Sequence, residues 1–412
     1  MAAKKKAKPS VEVENNDADS IMAGVFDDLA AAGIADKLDN DLNWVTGVDF
    51  FDMHNGCYDE DNDKIHIGIG TGRVIQFIGA SGSGKTTLAI QSAWNLVKDI
   101  KGANIILKDF ERSLRETRIQ ALTGKSFAEL GYKFKHNNTK LNSEGFKEMI
   151  DSIHAVKMDN YERLVRDFTD VSDTTKSCLP PTVVIIDSLP QMVPEKLVLA
   201  EGIGSQMTGG QIALANGTIF KQIFSKLGEA NIIVFIINHI TTKIETGSFT
   251  TKAKLNTLKP DENVAGGSAI RYLTDYMIKL EPGTKLTPDK DYGVQGFKSK
   301  MTVIKSRGFP AGKQCDCIYD QSRGWNNVLS NAEMMLVAKE GLVTKGSRCE
   351  LEGYPTTFYK REIEERYETD ELFRDCFDEA AENMIRYSVP GFSAEEIVSR
   401  LANISEEELE VA

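Results

Sequence analysis

The chain contains no run of about 18 apolar residues, so no membrane-spanning helix is expected. Lys4, Lys5, Lys6 and Lys8 stand near the start, but no apolar stretch follows them. That excludes a secretory signal and leaves a solvated basic arm. Cysteines are few and scattered, at positions 57, 178, 315, 317, 349 and 376, without the paired spacing of a zinc site. A reduced, cytoplasmic protein is expected from that usage. A calcium loop is excluded too. Asp59-Glu60-Asp61-Asn62-Asp63 begins like one, but the sixth position is Lys64 where glycine is needed and the twelfth is Gly70 where glutamate is needed.

Positive charge is also scarce overall, with a formal net charge of −12 over 412 residues. Its distribution matters more than its sum. Residues 361–412 hold 16 acids against 5 arginines and no lysine, whereas the first 360 residues hold 45 acids against 44 bases. The body is therefore nearly neutral and does not exclude a nucleic-acid partner. The acidic end reads either as a solvating tail or as an intramolecular competitor for phosphate.

The strongest positive signal is Gly79-Ala80-Ser81-Gly82-Ser83-Gly84-Lys85-Thr86, followed by Thr87. It fits G-x-x-x-x-G-K-[ST], in which glycines turn backbone N–H groups around phosphates, the lysine reaches the outer phosphates and the hydroxyl helps hold Mg²⁺. Val74–Ile78 reads as a strand entering this loop. Residues 86–99 read as the helix leaving it, with Ala89, Ala93, Leu96 and Val97 on one face. The helix N-terminus then faces the phosphates.

The body repeats the same unit: a short apolar run, a polar residue at its end, then a helical stretch. The runs are Val74–Ile78, Asn104–Leu107, Val183–Ile186 and Ile232–Ile237, expected as strands of a mostly parallel sheet flanked by helices. Ligands bind outside the carboxyl ends of such strands. The residues there are the phosphate loop, Lys108-Asp109-Phe110-Glu111, Asp187-Ser188 and Asn238-His239. Asp187 is the expected Mg²⁺ partner beside Thr86. Glu111 is the expected carboxylate for orienting water, with Asp109 as its competitor. Asn238 and His239 are placed to hydrogen-bond a γ-phosphate.

Two long polar stretches follow these strands. Residues 240–265 carry Lys243, Lys252, Lys254 and Lys259 with one aromatic, Phe249, and end at Gly266-Gly267. Residues 196–210 carry Gly202, Gly204, Gly209 and Gly210 with Met207. Cations for phosphates and apolar side chains to wedge between bases suit single-stranded nucleic acid. The lead-in, residues 41–72, reads as irregular, and Ile21, Val25 and Leu29 recur at helical spacing before it.

Taken together, Gly79–Thr87, Asp109-Phe110-Glu111, Val183–Ser188, Glu201–Met207, Ile237-Asn238-His239, Gly266-Gly267 and Lys305-Ser306-Arg307 resemble the RecA family of recombinases, in particular its phage, UvsX-type, branch. The resemblance spans roughly residues 44–325 and weakens toward 390. It implies that Glu111 is catalytic, with Lys85, and that His239 serves as the γ-phosphate sensor where other members have glutamine. It implies that Met207 and Phe249 insert into a stretched DNA strand. Lys305 and Arg307 would reach a neighbouring protomer's ATP as an arginine finger does; read alone, they are an exposed basic edge that guards against sheet pairing. Arg118 stands where the family has a tyrosine stacked on adenine, and a guanidinium can stack on a base too.

The expected fold is α/β, a RecA-like P-loop ATPase core with a short N-terminal helical arm and a small C-terminal α/β domain. Residues 1–43 would form the oligomerisation arm, 44–325 the core with two DNA-binding loops, and 326–412 the C-terminal domain. The expected function is an ATP- and Mg²⁺-dependent recombinase, forming helical filaments on single-stranded DNA and pairing them with homologous duplex. Its partners would include mediator and single-strand-binding proteins, in a bacterial cytoplasm if it is phage-encoded. A hexameric replicative helicase and a non-catalytic RecA-like regulatory ATPase use the same motifs and stand as alternatives.

Overall fold

The computed structural model describes residues 42–393, apart from 113, 138–141, 196–206, 243–257, 259–261, 265–266 and 309–310. Three strands form its centre: β1 (Val74–Gly79), β2 (Asn104–Asp109) and, later in the chain, Thr182–Asp187. Every residue of Val74–Gly79 and of Thr182–Asp187 is buried. The reason lies in their composition. Branched and aromatic side chains point alternately to opposite faces of a strand, so a continuous apolar run needs cover on both sides.

That cover is present. The loop helix α1 (Lys85–Val97) packs on the face carrying Ile75, Phe77, Val183, Ile185, Ile233 and Phe235. Val74, Val184, Ile186, Ile232, Val234 and Ile236 face the other way, into the cluster that holds Phe146, Ile150, Phe220 and Ile223. Those residues belong to helices α3 (Ser143–Asp159) and α4 (Met207–Glu229), with α2 (Glu116–Thr123) lying between β2 and α3 in the chain.

The remaining strands are β3 (Phe134–Asn137), β4 (Thr182–Asp187), β5 (Ile232–Thr242), β6 (Glu262–Val264), β7 (Tyr276–Leu286), β8 (Gly296–Lys305), β9 (Gln314–Asp320) and β10 (Gly324–Asn326). The sheet order is β10-β9-β8-β7-β1-β5-β4-β2-β3, with β6 paired to β5. From β3 to β7 the neighbours on this path are parallel, and β7 to β10 run antiparallel. The expected α/β class, with its mostly parallel sheet flanked by helices, is the observed one. Beyond β10, helices α6 (Asn327–Ala338), α7 (Ile363–Thr369) and α8 (Glu371–Ser388) and a two-stranded hairpin (Leu342–Lys345 with Arg348–Leu351) follow. Leu329, Phe373 and Phe377 are buried in the same hydrophobic cluster as Ile75.

The lead-in differs from expectation. Asn43–Trp44 pairs with Ile69–Gly70 and Cys57–Asp59 with Lys64–His66, while Phe50 and Phe51 are fully buried. Strands of two or three residues are too short to show a period in sequence, although their side chains complete the core. Met207 also differs: it opens helix α4 instead of lying inside a loop. The segment 125–180 supplies edge strand β3, helix α3 and a hairpin of Arg166–Thr169 with Thr175–Cys178. No helix among the described residues is long and apolar enough to cross a membrane.

Phe235 sits at the centre of this core, fully buried on β5 with its ring 5.4 Å from that of Phe77 in an edge-on arrangement. Replacing Phe235 by alanine should cost about 3–5 kcal/mol of unfolding free energy in urea titrations. A loss under about 1 kcal/mol would contradict the packing described.

Candidate nucleotide site

The phosphate loop lies where β1 meets α1. Gly84 precedes that helix with φ +85°, a left-handed conformation that glycine adopts readily, and no side chain caps the helix. The first-turn N–H groups are therefore available to an anion. Lys85 is 5% exposed, and its Nζ donates to the carbonyls of Gly79 (3.1 Å) and Ala80 (2.6 Å). Burial pulls its ammonium below the usual lysine range, while the carboxylates of Asp187 and Glu111 act against that pull.

Parallel pairing brings the strand ends together. Asp187 on β4 is in register with Asp109 on β2 and with Ile237 on β5, and His239 on β5 is in register with Gly79. The Thr86 hydroxyl donates to Asp187 Oδ2 at 2.7 Å. Burial is the main influence on the Asp187 carboxyl and pushes it up to about 6; the nearby Glu111 and Asp109 charges add to this, and the Thr86 bond opposes it.

The structure separates the two candidate bases by environment. Asp109 is 1% exposed, accepts from the backbone N–H of Leu114 at 3.1 Å and lies 3.6 Å from His136 Nε2. It is locked into the scaffold. The Glu111 side chain is 33% exposed, and its Oε1 meets the Ser188 hydroxyl at 2.8 Å and His239 Nε2 at 3.0 Å. Burial alone would raise the Glu111 carboxyl, but its bonds with His239 and Ser188, together with the charges of His239 and Lys85, outweigh burial and hold it below the usual range. An ionised, water-accessible carboxylate beside a phosphate loop has the properties a general base requires. Asn238, fully buried, turns its Oδ1 back onto the N–H of His239 at 2.8 Å.

The residues fit Mg²⁺ and a nucleotide triphosphate. Mg²⁺ prefers hard oxygen ligands and takes one or two from protein, leaving the rest to phosphates and water. The Thr86 hydroxyl and Asp187 carboxylate are such a pair. No cluster of three or more His, Cys, Asp or Glu suited to a metal occurs among the described residues, as an ion completed by phosphate would allow.

Arg118 lies on α2, beside the loop helix. Its Nη2 donates to the Tyr319 hydroxyl (2.7 Å) and to Thr87 Oγ1 (3.3 Å), and its Nη1 to the carbonyls of Gln321 (3.0 Å) and Ser322 (3.2 Å). Tyr319 and Trp325 are therefore neighbours of the loop, and sequence reasoning missed both. Each is a single aromatic residue on a short antiparallel strand more than 200 positions away, with no motif to mark it.

Lys305 and Arg307 stand elsewhere. Lys305 pairs with Met277, itself in register with Gln76 near the start of β1. Its Nζ donates to the carbonyls of Arg271 (2.8 Å), Tyr272 (2.8 Å) and Thr274 (2.6 Å), around the end of α5 (Gly267–Leu273). Arg307 donates to the Tyr272 carbonyl at 3.1 Å and lies 3.3 Å from Asp275 Oδ1. Both are held away from this chain's own phosphate loop. Lys243, Phe249, Lys252, Lys254 and Gly266 lie outside the described residues, as do residues 20–29 and the Met207 side chain; Gly267 opens α5.

The raised Asp187 carboxyl has a stability consequence. Its folded value lies above its unfolded value, so its contribution to stability is present below about pH 4 and is lost as pH rises through about 6. Nucleotide-free Asp187→Asn should therefore be more stable than wild type by up to about 3 kcal/mol at pH 7.5, with a smaller gap at pH 5. Urea titrations at the two pH values check this. A wild-type protein that is the more stable at pH 7.5 would contradict it.

No family model matches this chain. It is 28% identical over 257 residues to Protein RecA of Caulobacter sp. (strain K31), a match covering 61% of this chain and 59% of that protein. It is 27% identical over 258 residues to Protein RecA of two Caulobacter vibrioides strains, again covering 61% of this chain and 59% of theirs. The chain thus spans about three fifths of the length of the curated relatives it matches. This distant likeness agrees with the architecture: the chain is built on a RecA-like α/β core and is similar to RecA proteins.

Proposed function

We propose that this chain is a DNA-dependent ATPase of the recombinase kind, close to the phage UvsX type, which polymerises on single-stranded DNA and exchanges strands with homologous duplex. One observation carries the reading. The strand that brings His239 against Glu111 is the same strand, β5, whose end at Thr242 leads directly into the lysine-rich segment 243–259. A nucleotide signal at Glu111 and His239 therefore has a covalent route to a cationic segment suited to nucleic acid.

Each residue has a role in that reading. Lys85 and the first-turn N–H groups bind the phosphates, and Thr86 and Asp187 orient the ion. Mg²⁺, when bound, neutralises charge on the phosphate oxygens. Glu111 accepts the proton of the attacking water, and Ser188 and His239 hold its carboxylate in place. His239 reports the γ-phosphate through that contact. Arg118 and Tyr319 flank the place for the base. Lys305 and Arg307, directed away from their own loop, would complete the site of the next chain, which gives an open head-to-tail assembly. DNA would bind through Met207, Lys243, Phe249, Lys252, Lys254 and the Gly266-Gly267 turn.

Glu111→Gln should lower ATP turnover by about 10²–10⁴-fold while ATP and DNA binding persist, read by phosphate release and by fluorescence anisotropy. Turnover near the wild-type rate would refute the assigned base. Electron microscopy of the wild type with ATP and single-stranded DNA should show open helical filaments. Closed six-membered rings would replace the recombinase with a helicase.

A further inference from the structure

Strand β10, Gly324–Asn326, packs beside the phosphate-loop helix through Gly324 and Trp325. Gln91, on the second turn of α1, bonds the middle residue of the strand and the residue just before the strand. Gln91 Oε1 accepts from the Trp325 N–H at 2.8 Å, and Gln91 Nε2 donates to the carbonyls of Trp325 (3.2 Å) and Arg323 (3.4 Å). These bonds imitate a strand pairing with a side-chain amide. The indole of Trp325 then reaches the loop itself. Its Nε1 donates to the Gly84 carbonyl at 3.0 Å, an oxygen that also accepts from Leu88 N at 2.9 Å inside the helix. Trp325 is 5% exposed and wedged against Phe50 and Tyr319, with ring centroids 5.4 and 5.1 Å away.

The contact is close enough to dictate sequence. A Cβ on Gly84 would stand 2.7 Å from Trp325 Cζ2 and 3.2 Å from Tyr319 Cδ2. Glycine at this position of the loop is thus required by the indole as well as by its positive φ. On its other side β10 is tied to the C-terminal helices. Asn326 caps α6 by accepting from Leu329 N at 2.9 Å, and its Nδ2 donates to Glu364 Oε1 at 2.7 Å. Arg323 pairs with Glu364 (2.9 Å) and Glu368 (3.1 Å) on α7.

We infer that Trp325 is a positioning residue for the nucleotide, holding the Gly84 peptide in its anion-binding orientation, and that β10 joins this hold to the acidic helix α7. The inference rests on the nucleotide reading of the loop. The indole N–H fixes the peptide that links Gly84 to Lys85, so the direction of the first helical N–H groups depends on it. It makes no contact with Glu111 or His239 among the bonds described, so its effect falls on binding and not on the chemical step.

The test is kinetic. Trp325→Phe keeps an aromatic ring against Phe50 and Tyr319 while removing the N–H and part of the indole. The KM for MgATP should rise about five- to tenfold, the loss expected from one hydrogen bond, with kcat within about twofold of wild type. Gln91→Ala, which releases β10 from the helix, should give the same split. In wild type, MgATP should change tryptophan emission, and Trp325→Phe should lose most of that change although Trp44 and Trp94 remain. A wild-type KM in both variants would overturn the inference, and so would equal losses in kcat and kcat/KM, which would mean general damage. Calorimetry distinguishes a deeper failure: wild type that takes up no MgATP sinks the nucleotide reading itself.

Discussion

The structure depends on how closely backbone can approach the phosphate loop. A Cβ on Gly79 would lie 2.5 Å from the carbonyl oxygen of Leu280 on the neighbouring strand, and one on Gly84 would collide with Trp325. Two glycines of the motif therefore serve packing as much as phosphate. Because strands flank the loop this tightly, its polar neighbours are set by sheet register. His239 stands beside Gly79 and Asp187 beside Asp109 because the parallel strands β1, β5, β4 and β2 are held in register there.

That register also explains the division of charge. Asp109 is buried and its Oδ2 is bonded to the Leu114 N–H, whereas Glu111, two residues farther, has left the strand and reaches water. Asp187 sits between, buried enough that its ionised form is costly until a cation arrives. The site thus sets a carboxyl held below its usual range, Glu111, near one pushed above it, Asp187. The lysine at the other end of β8 is treated differently. Lys305 closes a helix end with three carbonyl bonds, so its position is fixed within its own chain.

Much of this was legible in the sequence where the signal was local. The loop, its entering strand and its helix are contiguous, and the strand ends Asp187, Glu111 and His239 each close an apolar run. The parallel class followed from runs apolar on both faces. Other parts depended on distant pairs. Trp325 and Tyr319 reach the loop only because the antiparallel strands β8 to β10 extend the sheet beyond β7, and no spacing rule links them to Gly84. The lead-in was misread because its strands span two or three residues, too few to show alternation, although Phe50 and Phe51 are completely buried. The sequence and its resemblance already favoured Glu111 over Asp109, and the structure adds the difference in depth between them. The cationic segment after Thr242 was marked by composition alone, and the described residues add only its anchors, β5 and β6, which pair antiparallel, with β6 tied to β7 by Lys279 and Glu262 at 2.9 Å.

In the proposed function, nucleotide chemistry at Glu111 and occupancy of the lysine-rich segment by nucleic acid are one coupled event. Steady-state ATP hydrolysis measured with and without single-stranded DNA, at fixed Mg²⁺ and low salt, tests this most directly. The account predicts slow turnover alone and a rise of at least tenfold with DNA, weakening as salt screens the phosphates. Turnover indifferent to DNA at every salt concentration would contradict it and leave a RecA-like core used as a regulatory ATPase.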